Sequence, residues 1–330
     1  MNTAFFFEVG GKMNSTNFDV FKKLKEYYKK NCKPLIFIGE KRLSKNNKCK
    51  MYFCDVEVEV EKENYRKVFQ EYLALYVRNY DLLKNYKKIF CSTTDKEMSD
   101  SLIFYGRDIW NKTGLVTTTT PEKLGIFGEA LNDFYCNIVK DENILVTYSS
   151  KRGYSERNVR GIDTVGCKWE NGSLTLIFSE CKFVESIYKA SDGLYDDIVG
   201  TPKESPHVDK DYINRYTTFI VDNMHSIFSE IDNASKINIV LDELNCRIIN
   251  GSPAIDIFNE LNIKVHFIFF AIYSDNKYCP DDRQSMFEKV YNAFYKKAYL
   301  TGIENYDMEI VFIPTRNKST VIKENMKKWN

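Results

Sequence analysis

Between Met51 and Val60 apolar and acidic positions alternate, Val56, Val58 and Val60 against Glu57, Glu59 and Glu61. That period of two predicts a strand with one face in water. Leu35 to Ile38 reads as a shorter strand before it. Ser15-Thr16 caps a predicted helix running to about Lys30, which Pro34 ends. Helical patterns follow over Asn64 to Lys87 and Asp95 to Lys112. Thr117-Thr-Thr-Thr120 then precedes Pro121, and Thr120 can cap a helix whose first residue is Pro121. That helix is expected to reach about Lys140.

Beyond it the pattern shortens. Ile144 to Tyr148, Gly161 to Trp169 and Leu174 to Phe183 read as strands, with Glu170-Asn-Gly-Ser173 between the last two. Helices are expected over Val184 to Ile198, Asp209 to Ile231 and Asp282 to Leu300. Ile237 to Leu241, Val265 to Tyr273 and Met308 to Ile313 are read as strands, because short apolar runs fit buried strands. Helix, three strands, helix, strand is an α/β sandwich order. The threonine run divides the chain into two expected regions, residues 1–118 and 119–330.

Charge sharpens that division. Residues 1–118 carry 22 Lys+Arg against 15 Asp+Glu, or +7, and residues 119–330 carry 25 against 31, or −6. Lys22 to Lys30 and Lys41 to Lys45 supply much of the basic excess. With their interleaved tyrosines they read either as a surface that tracks phosphates or as a solvated amphipathic helix. The longest strongly apolar stretch, Val265 to Tyr273, is far short of the ~20 residues a membrane-spanning helix needs. Nine cysteines without a C-x-x-C predict reduced thiols and a cytoplasmic protein rather than a disulfide scaffold or zinc ribbon.

Chemistry concentrates around one turn. Asn171-Gly172 suits a two-residue type I′ hairpin, because both residues tolerate positive φ. Such a loop sets Glu170 opposite Ser173 and, counting back, Asp163 opposite Glu180. Like charges at facing positions repel, and a divalent cation held by oxygens would turn the repulsion into binding. Alternation puts Lys182 on the face of Glu180, opposite Gly161. By spacing alone this is either a metal site suited to phosphodiester hydrolysis or a solvated hairpin end, and a one-residue slip would scatter the three side chains.

Gly161-Ile-Asp163 followed by Ser179-Glu180-Cys-Lys182-Phe resembles the D…E-x-K core of the PD-(D/E)xK nuclease superfamily. With Gly128-Glu129-Ala on the preceding helix, the chain more narrowly resembles the HamA family, the nuclease subunits of Hachiman anti-phage defence systems. The resemblance covers roughly residues 119–330. It implies a restriction-endonuclease-like core, helix, three strands, helix, strand, and the basic residues 1–118 are read as an N-terminal α/β region that binds partner or DNA. It also implies a metal-dependent DNA nuclease using Mg²⁺ or Mn²⁺, with Asp163, Glu180 and Glu129 as metal-binding acids and Lys182 as catalytic lysine. A partner helicase of the same defence system would restrain it. An inactive nuclease-fold subunit that binds nucleic acid or partner, and an RNA-directed nuclease, are the alternatives.

Helical periodicity makes a separate demand on Glu129. Leu124, Phe127, Leu131, Phe134 and Ile138 form one stripe, with Glu129 nearly opposite. The helix must therefore be covered on two sides, or Glu129 is solvated. Other signals lead elsewhere. No G-x-x-x-x-G-K-[ST] loop accompanies Ile239-Val-Leu-Asp-Glu243, so those acids read as a strand end rather than part of an ATPase. His207, His225 and His266 are too scattered for ligand spacing. Cys181 is expected to face away from Glu180, while Glu185 and Tyr188 could line a cleft or not.

Overall fold

The structure, a computed structural model, describes residues 20–32, 37–42, 49–54, 121–140, 144–147, 163–199, 233–274, 280–295 and 303–315. It also describes positions 68, 69, 72, 213, 214, 216–218 and 220. The expected helix over Asp95 to Lys112, the alternation at Val56 to Glu61, His207, His225 and Gly161 lie outside these residues.

Among the described residues, seven strands form one mixed sheet in the order β1-β2-β7-β6-β5-β4-β3. They are β1 (Phe37–Arg42), β2 (Cys49–Cys54), β3 (Ile144–Thr147), β4 (Thr164–Glu170), β5 (Ser173–Val184), β6 (Lys264–Ser274) and β7 (Tyr306–Thr315). The centre, β5-β6-β7-β2, is parallel, and the outer pairs β1-β2, β4-β5 and β3-β4 are antiparallel. Parallel strands must be covered on both faces, which explains the unbroken apolar run of β6. Strands from either side of the threonine run share this sheet, since β2 pairs with β7.

The helices are α1 (Val20–Asn31), α2 (Pro121–Phe134), α3 (Ile187–Val199), α4 (Ala234–Ile249), α5 (Ala254–Glu260) and α6 (Pro280–Tyr295). From α2 onward the order is helix, three strands, helix, then β6 after further helical segments that include α4 and α5. One face of the sheet carries Leu176, Phe178, Phe267, Phe269, Ile310 and Phe312, packed against residues of α3, α4, α5 and α6. Phe53 of β2 is locked into this core by stacking on Phe287 at 4.2 Å and Phe312 at 5.3 Å. Fully burying such a side chain stabilises by about 1.5–3 kcal/mol.

The opposite face meets α2, which runs on into a π-helical turn, Tyr135–Val139. There Lys140 N–H donates to the Tyr135 carbonyl at 2.9 Å, and the Tyr135 ring stacks on Phe270 at 4.8 Å. The outer side of α2 is covered as well. Tyr28 of α1, together with Phe69 and Tyr72, packs edge-on around Phe134, with centroids 6.2, 5.4 and 5.3 Å away. The two-sided covering demanded by Glu129 is therefore present. It also explains α1: Tyr28 turns inward, while Lys29 and Lys30 stay exposed at the helix C-terminus, where positive charge suits the helix dipole.

One expected strand is corrected. Ile237 to Leu241 belongs to helix α4, in which Ile237, Leu241 and Leu244 are buried and Ile239 is 69% exposed. The acids Asp242 and Glu243 sit mid-helix in solvent, not at a strand end. Four apolar residues in a run of five cannot by themselves distinguish the two periods, and the continuation to Leu244 settles it for the helix. Smaller shifts occur at β1, which begins two residues after Leu35, and at α3, which starts at Ile187 because β5 continues to Val184.

Candidate functional site

The hairpin forms as its turn residues dictate. Asn171 and Gly172 have φ of 51° and 82°, and pairing runs from Glu170↔Ser173 to Thr164↔Ser179 without a slip. Asp163 lies one residue past the last pair. Here β4 leaves β5, while β5 stays bound to β6 through Glu180↔Phe269 and Lys182↔Ala271. The Cys181 N–H on the vacated side donates to Asp163 Oδ2 at 2.7 Å. Asp163 thus replaces a strand partner and is held beside Glu180.

Glu180 is buried to 6% exposure and Lys182 is half-buried, with Lys182 Nζ 3.7 Å from Glu180 Oε1. The other oxygen, Oε2, accepts from the Tyr216 hydroxyl at 3.0 Å. The Lys182 stem runs along α3 at Gly193, where an added Cβ would sit 3.5 Å from the Lys182 Cδ and Cε. The helix backbone therefore shapes the lysine's path. Cys181 points the other way, toward α2, as alternation requires. A Cβ on Gly128 would lie 2.9 Å from Phe183 Cβ and 3.5 Å from Cys181 Sγ. Only glycine lets α2 come this close to β5, and the next residue is Glu129.

Electrostatics binds the acids into one group. Burial, then the charges of Glu180 and Glu129, push the Asp163 carboxyl well above the ordinary carboxylate range, against the opposing Cys181 amide and Lys182 ammonium. Burial likewise raises the Cys181 thiol, and the neighbouring acids add to it. Cys181 is thus a packed thiol rather than a thiolate nucleophile. Asp163, Glu180 and Lys182 come together, and Glu129 acts on Asp163 from the opposite layer. Glu185 instead turns to Lys189 at 3.4 Å in solvent, and Tyr188 is 38% exposed.

The donors are all oxygens and their charges crowd one another, so the group suits a hard divalent cation. It is not a closed cage: among the described residues, no three His, Cys, Asp or Glu side chains stand at metal-ligand spacing. Below the site, Ser179 donates to the Ile268 carbonyl at 2.9 Å and lies 2.8 Å from Asn132 Oδ1, while Asn132 donates to Thr164 at 3.3 Å. This chain of bonds ties α2 to both strands of the hairpin. Tyr216 and Asn132 escape sequence reasoning. Nothing in their spacing marks them, because each reaches the site from another element.

A mixed α/β protein with an acid–lysine cluster where its central sheet opens is the class this geometry defines. The chain belongs to the HamA family, which matches over residues 21–329, and is thereby a Hachiman defence-system protein. No curated protein matches the chain. Among the described residues, no helix is long and apolar enough to cross a membrane.

Proposed function

We propose that this chain is a metal-dependent DNA nuclease with a PD-(D/E)xK core, serving as the effector of its defence system. The observation that carries this reading is the junction of Asp163, Glu180 and Lys182, with Lys182 Nζ 3.7 Å from Glu180 Oε1 and Asp163 bonded to the Cys181 amide. Membership in the HamA family and the order helix, three strands, helix, strand support it.

In this reading Asp163 and Glu180 would hold Mg²⁺ or Mn²⁺, with Glu129 as the third acid. Such a cation, when bound, polarises a phosphate oxygen and makes a better nucleophile of water. Lys182 donates to the non-bridging phosphate oxygens or orients the attacking water, and its ammonium offsets charge that develops on phosphate. Tyr28 and Phe134 hold α1 against α2, so the exposed Lys29 and Lys30 belong to a surface for the DNA backbone or a partner helicase. That partner restrains the nuclease in a living cell.

Incubating the purified protein with plasmid, linear DNA and RNA, with Mg²⁺ and with chelator, tests the proposal. Chelator-sensitive DNA cleavage is expected. Cleavage of RNA alone would replace DNA as substrate, and no cleavage of any of the three would favour an inactive nuclease-fold subunit.

A further inference from the structure

We infer that Tyr216 is a positioning residue whose hydroxyl sets the orientation of the Glu180 carboxylate toward a divalent cation. This rests on the metal-dependent reading of the site. Tyr216 is fully buried, and its ring lies against Phe178 at 4.7 Å, on the same face of β5 as Glu180 and two residues before it. The helical stretch that carries it buries Ile213, Tyr216, Thr217 and Ile220, one face of a helix at i, i+3, i+4 and i+7. The ring is therefore fixed before any ligand arrives.

The hydroxyl lies 3.0 Å from Glu180 Oε2 and 2.8 Å from the Ser179 carbonyl. A phenol has one proton to donate, and a charged acceptor makes the stronger bond. The terminal torsion of a glutamate is broad and leaves a carboxylate free to turn. With Oε2 held by Tyr216, that rotation is stopped and Oε1 is left toward Lys182. Partners of this kind, one bond removed from the cation, orient the ligand and sharpen its affinity. If the carboxylate turns away, the Ser179 carbonyl can take the proton, so the buried hydroxyl is never stranded.

The test uses Tyr216→Phe, which keeps the ring and deletes the hydroxyl. Mn²⁺ and Mg²⁺ are titrated calorimetrically into the full chain without nucleic acid, and cleavage is measured against cation concentration. Tyr216→Phe should weaken cation binding by about tenfold, the lower end for such partners. It should move the cation dependence of cleavage by the same factor and leave the plateau rate within about twofold, because Lys182 and the acids remain. Thr217→Val, on the same helix and bonded only to the Ile213 carbonyl at 2.7 Å among the described residues, should leave cation affinity unchanged. Equal affinity in wild type and Tyr216→Phe would overturn the inference. So would an equal loss in Thr217→Val, which would implicate helix placement, or collapse of the metal-free melting transition in Tyr216→Phe. A wild type that neither binds the cations nor cleaves would sink the nuclease reading, and this inference with it.

Discussion

Asp163 and Asp307 are both partly buried aspartates on the same sheet, and they behave in opposite ways. Asp307, near the start of β7, bonds His266 Nδ1 across the strand pair and meets Lys264 Nζ at 2.7 Å. Burial alone would raise its carboxyl, but the bond and charge of His266 and then of Lys264 outweigh that and hold it below its ordinary value. Asp163, where β4 parts from β5, has burial and two acids raising it and only Lys182 and one amide opposing. The entry end of the parallel strands has its charges neutralised, and the exit end of β5 keeps them crowded. A protein selected for stability alone would have no reason to gather acids there. Repulsion that one lysine only partly offsets fits a place where a cationic ligand completes the structure.

The contrast breaks most decisively through Glu180→Ala and Lys182→Ala. Each should lower cleavage by at least ~100-fold, the scale of removing one group that stabilises transition-state charge. Both should still melt cooperatively, since Tyr216 keeps its Ser179 acceptor at 2.8 Å and Lys182 is only half-buried. Activity within a few-fold of wild type in both would place the chemistry elsewhere.

Asp133 sharpens the comparison as a carboxyl with neither cationic nor acidic partners among the described residues. Tyr72 donates to its Oδ2, and Asn137 donates to the Tyr72 hydroxyl at 2.8 Å. Burial pushes it up to about 8, although the Tyr72 and Asn137 bonds pull the other way. An acid raised on folding stabilises the native state fully below its unfolded value. That stability drains away as pH rises through the folded value, here between about 4 and 8 at up to ~1.4 kcal/mol per pH unit. Asp133→Asn should flatten this slope, melting like wild type below about pH 4 and higher than wild type at pH 8. Parallel melting curves across pH 5–8 would mean that Asp133 is ionised in the fold.

Asp307→Asn tests the neutralised end. It should destabilise by on the order of 1 kcal/mol, since the side chain is partly exposed and its ion pair is screened by solvent. Cleavage per folded molecule should be unaffected. A depressed acid gives stability above its unfolded value and loses it as pH falls through the lower folded value, so the variant should also lose less stability than wild type on acidification below about pH 4. Denaturant melts at pH 7 and pH 3 measure both.

Asp163→Asn should show the smallest change in the metal-free protein, and of opposite sign: a gain of up to about 1 kcal/mol as repulsion is relieved. Its amide oxygen can still accept from Cys181. The rise in melting temperature on adding Mg²⁺, expected for a ligand that binds the native state alone, should be blunted. An unchanged Mg²⁺ response would remove Asp163 from the metal-binding group.

The hairpin register is legible in the sequence itself, because Asn171-Gly172 tolerates positive φ and a two-residue loop leaves one alignment. Counting from that loop brings Asp163, Glu180 and Lys182 together, while apolar runs and Thr120-Pro121 mark strands β6 and β7 and the extent of α2. Helix α4 reads wrongly as a strand because the short run Ile237 to Leu241, four of its five residues apolar, fits either period until Leu244 is included. Other features are decided only by the tertiary structure. Whether Glu129 is solvated or part of the site depends on Tyr28, Phe69 and Tyr72, residues 57 to 101 positions earlier in the chain, closing over Phe134. The hydroxyl on Glu180 comes from Tyr216, 36 residues later. Local pattern determines which face a residue takes within its own element. Which groups oppose it across a layer follows from long-range packing and Coulomb interaction, and neither leaves a periodic trace in the sequence.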